Sequence, residues 1–294
     1  MKRYDFVLLA DVIDGNMNGD PDNDGMPRID PETMQGIMSD VCVKRKIRDT
    51  VQARIEEYGG GYDIYVRKGV ALNDLHQGAY DDTGVKSKEV NNGKKKVPED
   101  EEGKTKIKDY MTSKYFDVRT FGAVMSTSVD AGQVWGPVQI HQSKSIDPVL
   151  PLSLGITRIA RTKKDGDENG EGQVSDHGQM GKKHITSYGL YKITGNINPQ
   201  LAMKTGFNEQ DLEVFWNTLQ WMFMYNASSN SGLATAHKLY VFEHESHLGN
   251  AQPYYTIRTI KPEKKVDIPR SFEDYEVHIE ESQIPRGVTL IEKF

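Results

Sequence analysis

Several groupings of polar residues in this 294-residue chain could carry chemistry, and their spacing tests each one. Asp14, Asn16, Asn18, Asp20, Asp22 and Asp24 supply the oxygen ligands a calcium loop uses. A frame begun at Asp14 puts Gly25 where the bidentate glutamate belongs, and one begun at Asp20 puts Pro31 there; a strand, not a helix, leads in. His244-Glu245-Ser246-His247 falls one residue short of the zinc-protease spacing and follows a strand. Gly103-Lys104-Thr105 ends like a phosphate loop, but Pro98 stands where the first glycine is required. His141, His177 and His184 could supply the acid and base of an RNA-cleaving site, because imidazole changes charge near neutral pH. Chain order alone does not bring them together. There is no nucleophile elbow and no cysteine dyad. What remains is Lys44-Arg45-Lys46-Ile47-Arg48, a cluster suited to gripping a polyanion.

The elements around that cluster set its context. Residues 4–13 are rich in Phe, Val and Leu and read as a buried central strand. Residues 14–31 form a loop of Gly, Asn, Asp and Pro, chosen for tight or left-handed backbone, which places Arg28 beside something. In the helix that follows, Ile37, Val41, Val51 and Ile55 project to one side, and Lys44 and Arg48 interrupt it. Their stems either snorkel over the core edge or aim the charges at a polyanion. Gly59-Gly60-Gly61 ends the helix, and residues 62–67 alternate as a short strand. Residues 69–112 turn polar and read as a partly mobile insertion.

Further on, residues 115–125 are a compact ordered unit and 135–145 read as one strand. Residues 152–160 lead outward and 182–196 lead back, so a long β-hairpin with a polar tip is expected. The second clear helix spans 208–225, with Asn208 and Asp211 at its start and a core stripe of Leu212, Phe215, Trp216, Leu219 and Phe223. Residues 237–245 are a strand, and the proline-containing C-terminal stretch wraps the core. Strand, helix, strand, repeated, is the order of an α+β, ferredoxin-like or RNA-recognition-type antiparallel sheet. Its open face could carry RNA, although the aromatic ribonucleoprotein signature is missing.

Bulk properties narrow the classes. The net charge of −6 argues against a nonspecific nucleic-acid coat, yet base clusters at 44–48, 86–96, 158–164 and 182–184, as suits a specific track. Cys42 is the sole cysteine, so no intrachain disulfide forms and a reducing, cytoplasmic setting is expected. The apolar run at 6–10 is too short for a signal-peptide core, and no run approaches membrane-spanning length.

Seven segments then occur in a telling order: Asn16-Met17-Asn18-Gly19-Asp20-Pro21-Asp22, Pro27-Arg28-Ile29-Asp30, Asp40-Val41-Cys42-Val43-Lys44-Arg45-Lys46-Ile47-Arg48, Asp117-Val118-Arg119-Thr120-Phe121-Gly122, Gly136-Pro137-Val138-Gln139, Ser145-Ile146-Asp147-Pro148 and Tyr188-Gly189-Leu190-Tyr191. Together they resemble the subtype I-C CRISPR backbone subunit, the repeated subunit of the Cascade surveillance complex. The resemblance implies a palm of the RNA-recognition type (1–68, 114–155 and 186–294), a finger-like insertion (69–113) and a thumb hairpin (156–185). It implies no enzyme activity, no cofactor and no metal. The implied partners are the CRISPR guide RNA, target DNA in the assembled complex, head-to-tail copies of the chain and other Cascade subunits, with no membrane. Lys44, Arg45 and Arg48 would grip the guide backbone, Arg28 and Arg119 would support it, and Met180 is the candidate wedge that displaces a nucleotide. Further candidate contacts are Asn18, Gly19, Ser39, Phe121, Gly122, Gln139, Ser143, Ser145, Arg158, Arg161, Lys182, Lys183 and His184. The thumb tip at 165–171 is acidic, which speaks against RNA contact by the tip itself. The rival is an RNA-processing endonuclease on the same fold that uses His141 or His184.

Overall fold

Residues 4–12 of the first strand, β1 (Arg3–Gly15), are buried without a break, so both faces of the sheet are covered there. The structure, a computed structural model, describes residues 1–158 and 179–294. After β1, β2 (Gly19–Asp20) and β3 (Met26–Pro27) form a miniature hairpin turned by Asp24 and Gly25, both at positive φ. β4 (Gln35–Met38) leads to α1 (Asp40–Ala53), which Ser39 caps by accepting from the Cys42 amide. This cap fixes the helix phase differently from the sequence reading. Ile37 belongs to β4 and Val41 is 64% exposed, while Val43, Ile47, Thr50 and Val51 form the buried stripe.

A single turn, α2 (Ile55–Tyr58), ends at the glycines. The strand expected at 62–67 is absent: the segment makes one bridge, Asp63 to Tyr115, and the Tyr65 and Val66 amides donate to the Asp117 carboxylate instead of to a neighbouring strand. Next come α3 (Leu72–Thr83), β5 (Ser87–Val90), β6 (Lys95–Pro98), α4 (Glu101–Lys114), α5 (Phe116–Phe121), β7 (Gly122–Ser126) and β8 (Asp130–Trp135). The stretch read as a partly mobile insertion contributes to a packed core. Tyr65, Ala79, Tyr80, Ile107, Met111, Tyr115, Val118, Met125 and Ala131 pack into a core of their own. About half of that core comes from outside residues 69–112, which is why the segment looks too polar when read alone.

The strand expected at 135–145 is split at His141 and Gln142 into β9 (Val138–Ile140) and β10 (Ser143–Pro148). β11 (Pro151–Arg158) and β12 (Gln179–Ile197) pair from Pro151 with Thr186 to Arg158 with Gln179, forming the anticipated hairpin; its tip lies outside the described residues. α6 (Pro199–Thr205) precedes α7 (Glu209–Tyr225), whose capping box is complete, because the shorter Asp211 carboxylate still reaches the Asn208 amide at 3.0 Å. β13 (Leu233–His244), α8 (Pro253–Ile257), β14 (Ile260–Lys264), β15 (Tyr275–Ile279) and β16 (Val288–Glu292) complete the chain.

The result is a mixed α+β fold on an antiparallel sheet, ordered β16-β13-β1-β12-β10-β4, with β9 and β11 also paired to β12. Helices α1 and α7 cover one face, where Phe6, Ile47, Ile193, Phe215 and Trp216 interlock; the Phe6 and Phe215 rings meet edge to face at 5.7 Å. The other face, expected to be open for RNA, is closed. Val7, Leu9, Leu190, Tyr240 and Phe242 pack beneath Ile260 and Tyr275 of the C-terminal segment. Alternation made this necessary: β1 is apolar at both odd and even positions, so each face needs a cover.

Lys192 pins that cover, donating from Nζ to the carbonyls of Ile257 (2.8 Å) and Ile260 (2.6 Å). Burial pushes its pKa down to about 8 from 10.5. The folded state therefore binds fewer protons than the unfolded chain between pH 8 and 10.5, and stability rises with pH across that window. Urea unfolding at pH 8 and pH 10 checks this: the wild type should gain on the order of 2–3 kcal/mol relative to Lys192→Met, which lacks the titrating group.

Candidate nucleic-acid interface

Strand β12 is the ruler along which the sequence-nominated residues are set. Around Thr186, where β12 pairs with Gly15 of β1 and Pro151 of β11, the 16–31 loop, the N-terminus of α1 and the base of the β11–β12 hairpin meet. Asn18 organises the junction: its Oδ1 accepts from the Ser39 amide (2.9 Å) and from Ser39 Oγ (2.7 Å), joining the loop to the cap of α1. Asn16 closes the loop by donating to the Gly25 carbonyl at 2.8 Å, and the Cys42 thiol donates to the Met17 carbonyl at 3.3 Å. Burial pushes the Cys42 pKa up, so it stays a thiol. Gly19 is needed for close approach, since a Cβ there would sit 3.0 Å from the Gly25 carbonyl.

Arg28 follows β3 and is partly exposed. Its Nη2 lies 3.2 Å from Asp20, and its buried Nε has no partner among the described residues. The hairpin base packs against the same loop: His184 shares a 2.8 Å hydrogen bond with Ser153 and sits 3.5 Å from Asp24. Lys182 is exposed and Lys183 half-buried beside it.

The basic helix divides into two kinds of cation. Among the described residues, Lys44 and Arg45 pair with partly exposed carboxylates of their own helix, Asp40 at 3.0 Å and Asp49 at 2.8 Å, and Lys44, itself only 17% exposed, has its Nζ 5.8 Å from the Phe121 ring. The exposed Arg45 pair holds about 0–1 kcal/mol. Arg48 differs. Its Nε donates to buried Asp117 at 2.7 Å and its guanidinium lies 5.5 Å from the Phe121 ring, so it joins α1 to α5. Arg119, nominated as a support for the guide, is also committed inside the protein. Its fork meets Asp211 at 2.9 and 2.7 Å, and Nη1 donates to the carbonyls of Gly61 and Thr112.

Other nominated residues are also interior. Phe121 is buried against Phe215, and Gly122 is wedged at φ 78° between the Val134 carbonyl and the Gly136 amide. Ser145 accepts from the Gly36 amide (2.8 Å) and donates to the Asp147 carbonyl (2.6 Å), tying β10 to β4; Ser143 is buried beside it. Gln139 is exposed on β9. Arg161, His177 and the acidic tip at 165–171 lie outside the described residues, as do the side chains of Arg158 and Met180.

His141 and His184 do not come together as an acid–base pair, and His177 lies outside the described residues. His141 hydrogen-bonds Thr194 on β12 at 3.0 Å, and burial pushes its pKa down. His184 lies on the same strand, and at about 3.3 Å per residue the two are on the order of 30 Å apart, too far to flank one phosphate. Among the described residues, no group of three or more His, Cys, Asp or Glu side chains is gathered as for a metal, and no helix is long and apolar enough to cross a membrane.

Sequence reasoning missed Asn16, Asp24, Asp117 and Asp211. Asn16 had a signal, its i, i+2 spacing to Asn18 in a glycine-rich loop. Asp211 had a signal only for its cap with Asn208; the cations that these carboxylates meet come from distant parts of the chain.

The family described as CRISPR-associated protein Cas7 matches residues 2–280. A CRISPR-associated protein Cas7 of Haloferax volcanii is 29% identical over 277 residues, covering 86% of this chain and 74% of that protein. A chain of a CRISPR RNA-guided surveillance complex in a pre-nicking state aligns with a TM-score of 0.48 at 14% identity, covering 82% of this chain and 78% of its own. A chain of another RNA-guided surveillance complex aligns with a TM-score of 0.47 at 13% identity, covering 82% and 68%.

Proposed function

The chain belongs to the CRISPR-associated Cas7 family, and on that premise we propose that it is a non-catalytic backbone subunit of a type I-C Cascade surveillance complex. It stacks head to tail along the guide RNA and presents the guide for pairing with target DNA in antiviral defence. The observation that carries the reading is the junction of the 16–31 loop, the α1 N-terminus and the hairpin base. It joins the loop that carries Arg28 to the cap of the helix that carries Lys44 and Arg45, and to the strand that carries Lys182 and Lys183, with His184 between Ser153 and Asp24 at the same place. Phosphate contacts suffice, since sequence readout belongs to guide–target pairing.

The order β13-β1-β12-β9, with α1 and α7 on one face, supports a ferredoxin-like palm of the RNA-recognition type. Residues 69–113 are then the finger and 156–185 the thumb, with Arg158, Arg161 and Met180 placed on it. A head-to-tail contact that does not close generates a filament, whose length the RNA sets.

Size-exclusion chromatography with light scattering, on single-stranded RNAs of increasing length, tests this. Assemblies should grow with RNA length while the RNA stays intact on a denaturing gel; shortened RNA and a monomeric protein would favour the nuclease instead. Replacing Lys44, Lys182 and Lys183 with Ala should lower the log–log salt slope of RNA binding by about 0.7 for each phosphate that is no longer neutralised, independently of base sequence.

A further inference from the structure

Trp135, at the end of β8, is 69% exposed. Strand alternation explains its position: Ala123, Met125 and Val134 point into the second core, and Val124, Gln133 and Trp135 line the opposite face of the β7–β8 hairpin. Directly across from Trp135 stands Gly122, which has no side chain to cover the indole. That position cannot be filled, because φ is 78° and a Cβ would lie 2.4 Å from the Val134 carbonyl. The bare ring borders a groove of about 590 Å³ between α4, β8 and α6, lined also by Lys108, Leu201 and Lys204.

The charges on this groove are distinctive. On α4, Lys104, Lys106 and Lys114 each lie within ion-pair distance of a carboxylate. Lys108 of α4 and Lys204 of α6 have no such partner among the described residues, and the Lys108 stem lies along Gly132, next to Gln133. Asp109 is the one carboxylate on the lining and, among the described residues, is not within ion-pair distance of either lysine; an exposed indole with a net positive lining matches what a single strand requires, a π-face for a base and cations for its phosphates. An apolar protein surface would instead have to desolvate both lysines without pairing them.

We propose that this groove binds a single-stranded nucleic-acid segment other than the guide, stacking a base on Trp135 and holding its phosphates with Lys108 and Lys204. The site lies beyond the Ile197 end of β12, on the order of 35 Å along the strand from the junction at Thr186. The proposal rests on the guide-RNA reading, and the two can fail separately.

The test preassembles the protein on a long RNA and titrates it with a fluorescein-labelled, mixed-sequence DNA oligonucleotide not complementary to that RNA. Trp135→Ala should weaken DNA binding by about tenfold and Trp135→Phe by much less, as expected of a stacking platform. Lys108→Ala with Lys204→Ala should lower the salt slope by about 1.4. Assembly size on RNA should be the same for every variant. Unchanged DNA affinity in Trp135→Ala would overturn the proposal. So would shorter RNA assemblies with unaltered DNA affinity, which would assign the indole to contact between copies. If the wild type does not assemble on RNA, the guide reading fails, and the same DNA titration of the free chain still decides the groove.

Discussion

Replacing Arg119 with Ala should destabilise the protein by about 3–5 kcal/mol in chemical denaturation, with no specific loss of RNA affinity in the fraction that folds. The reason is the state of its partner. Asp211 is fully buried, receives two guanidinium hydrogen bonds and also caps α7 through the Asn208 amide. Removing the cation leaves that carboxylate without compensation and orphans the carbonyls of Gly61 and Thr112. Arg119→Ala combined with Asp211→Asn should be less destabilised than the sum of the two single changes, since the buried charge goes with its partner. A variant that stays fully stable and binds RNA weakly would return Arg119 to the guide interface.

The second large effect is expected at Asp117. Its Oδ1 accepts from the Tyr65 amide at 2.7 Å, while its Oδ2 accepts from the Val66 amide at 3.1 Å and from Arg48 Nε at 2.7 Å. Asp117→Ala should cost about 3–5 kcal/mol, because it strands two backbone donors and a partly buried guanidinium together. Hydrogen exchange gives the local readout: the Tyr65 and Val66 amides should lose protection before the β1 amides do. Asp117→Asn keeps an acceptor and should recover part of the loss. Equal protection in wild type and Asp117→Ala would mean that the 62–67 segment is held by its packing alone.

Both residues lie in a motif that the sequence had marked for nucleic-acid contact, as does Arg48 in another. Types and spacing marked the cations, but not what they face. The carboxylate that takes up Arg48 is 69 residues away and the one that takes up Arg119 is 92 residues away. Lys44 and Arg48 share one side of the helix in projection, yet Lys44 pairs within one helical turn and Arg48 across to another helix, which no projection can show. Burial of the partner decides how firmly a cation is tied to the fold. The two histidines show the same limit, since only strand register reveals that they sit far apart along β12.

Local physics by itself determined a good deal. The continuous apolar run of β1 made it a central strand, the i, i+4 stripe and Asn208 cap made α7, and the turn-forming residues at 14–31 made a loop that presents backbone. These signals span only a few residues, so the sequence carries them in full. Tertiary structure alone decided that the second face of the sheet is covered, that the polar stretch at 69–112 has a core, and that Trp135 stands uncovered across from Gly122. Each of these depends on which distant segment arrives to bury a face or leave it bare. That outcome is set by packing the whole chain, and no local period encodes it.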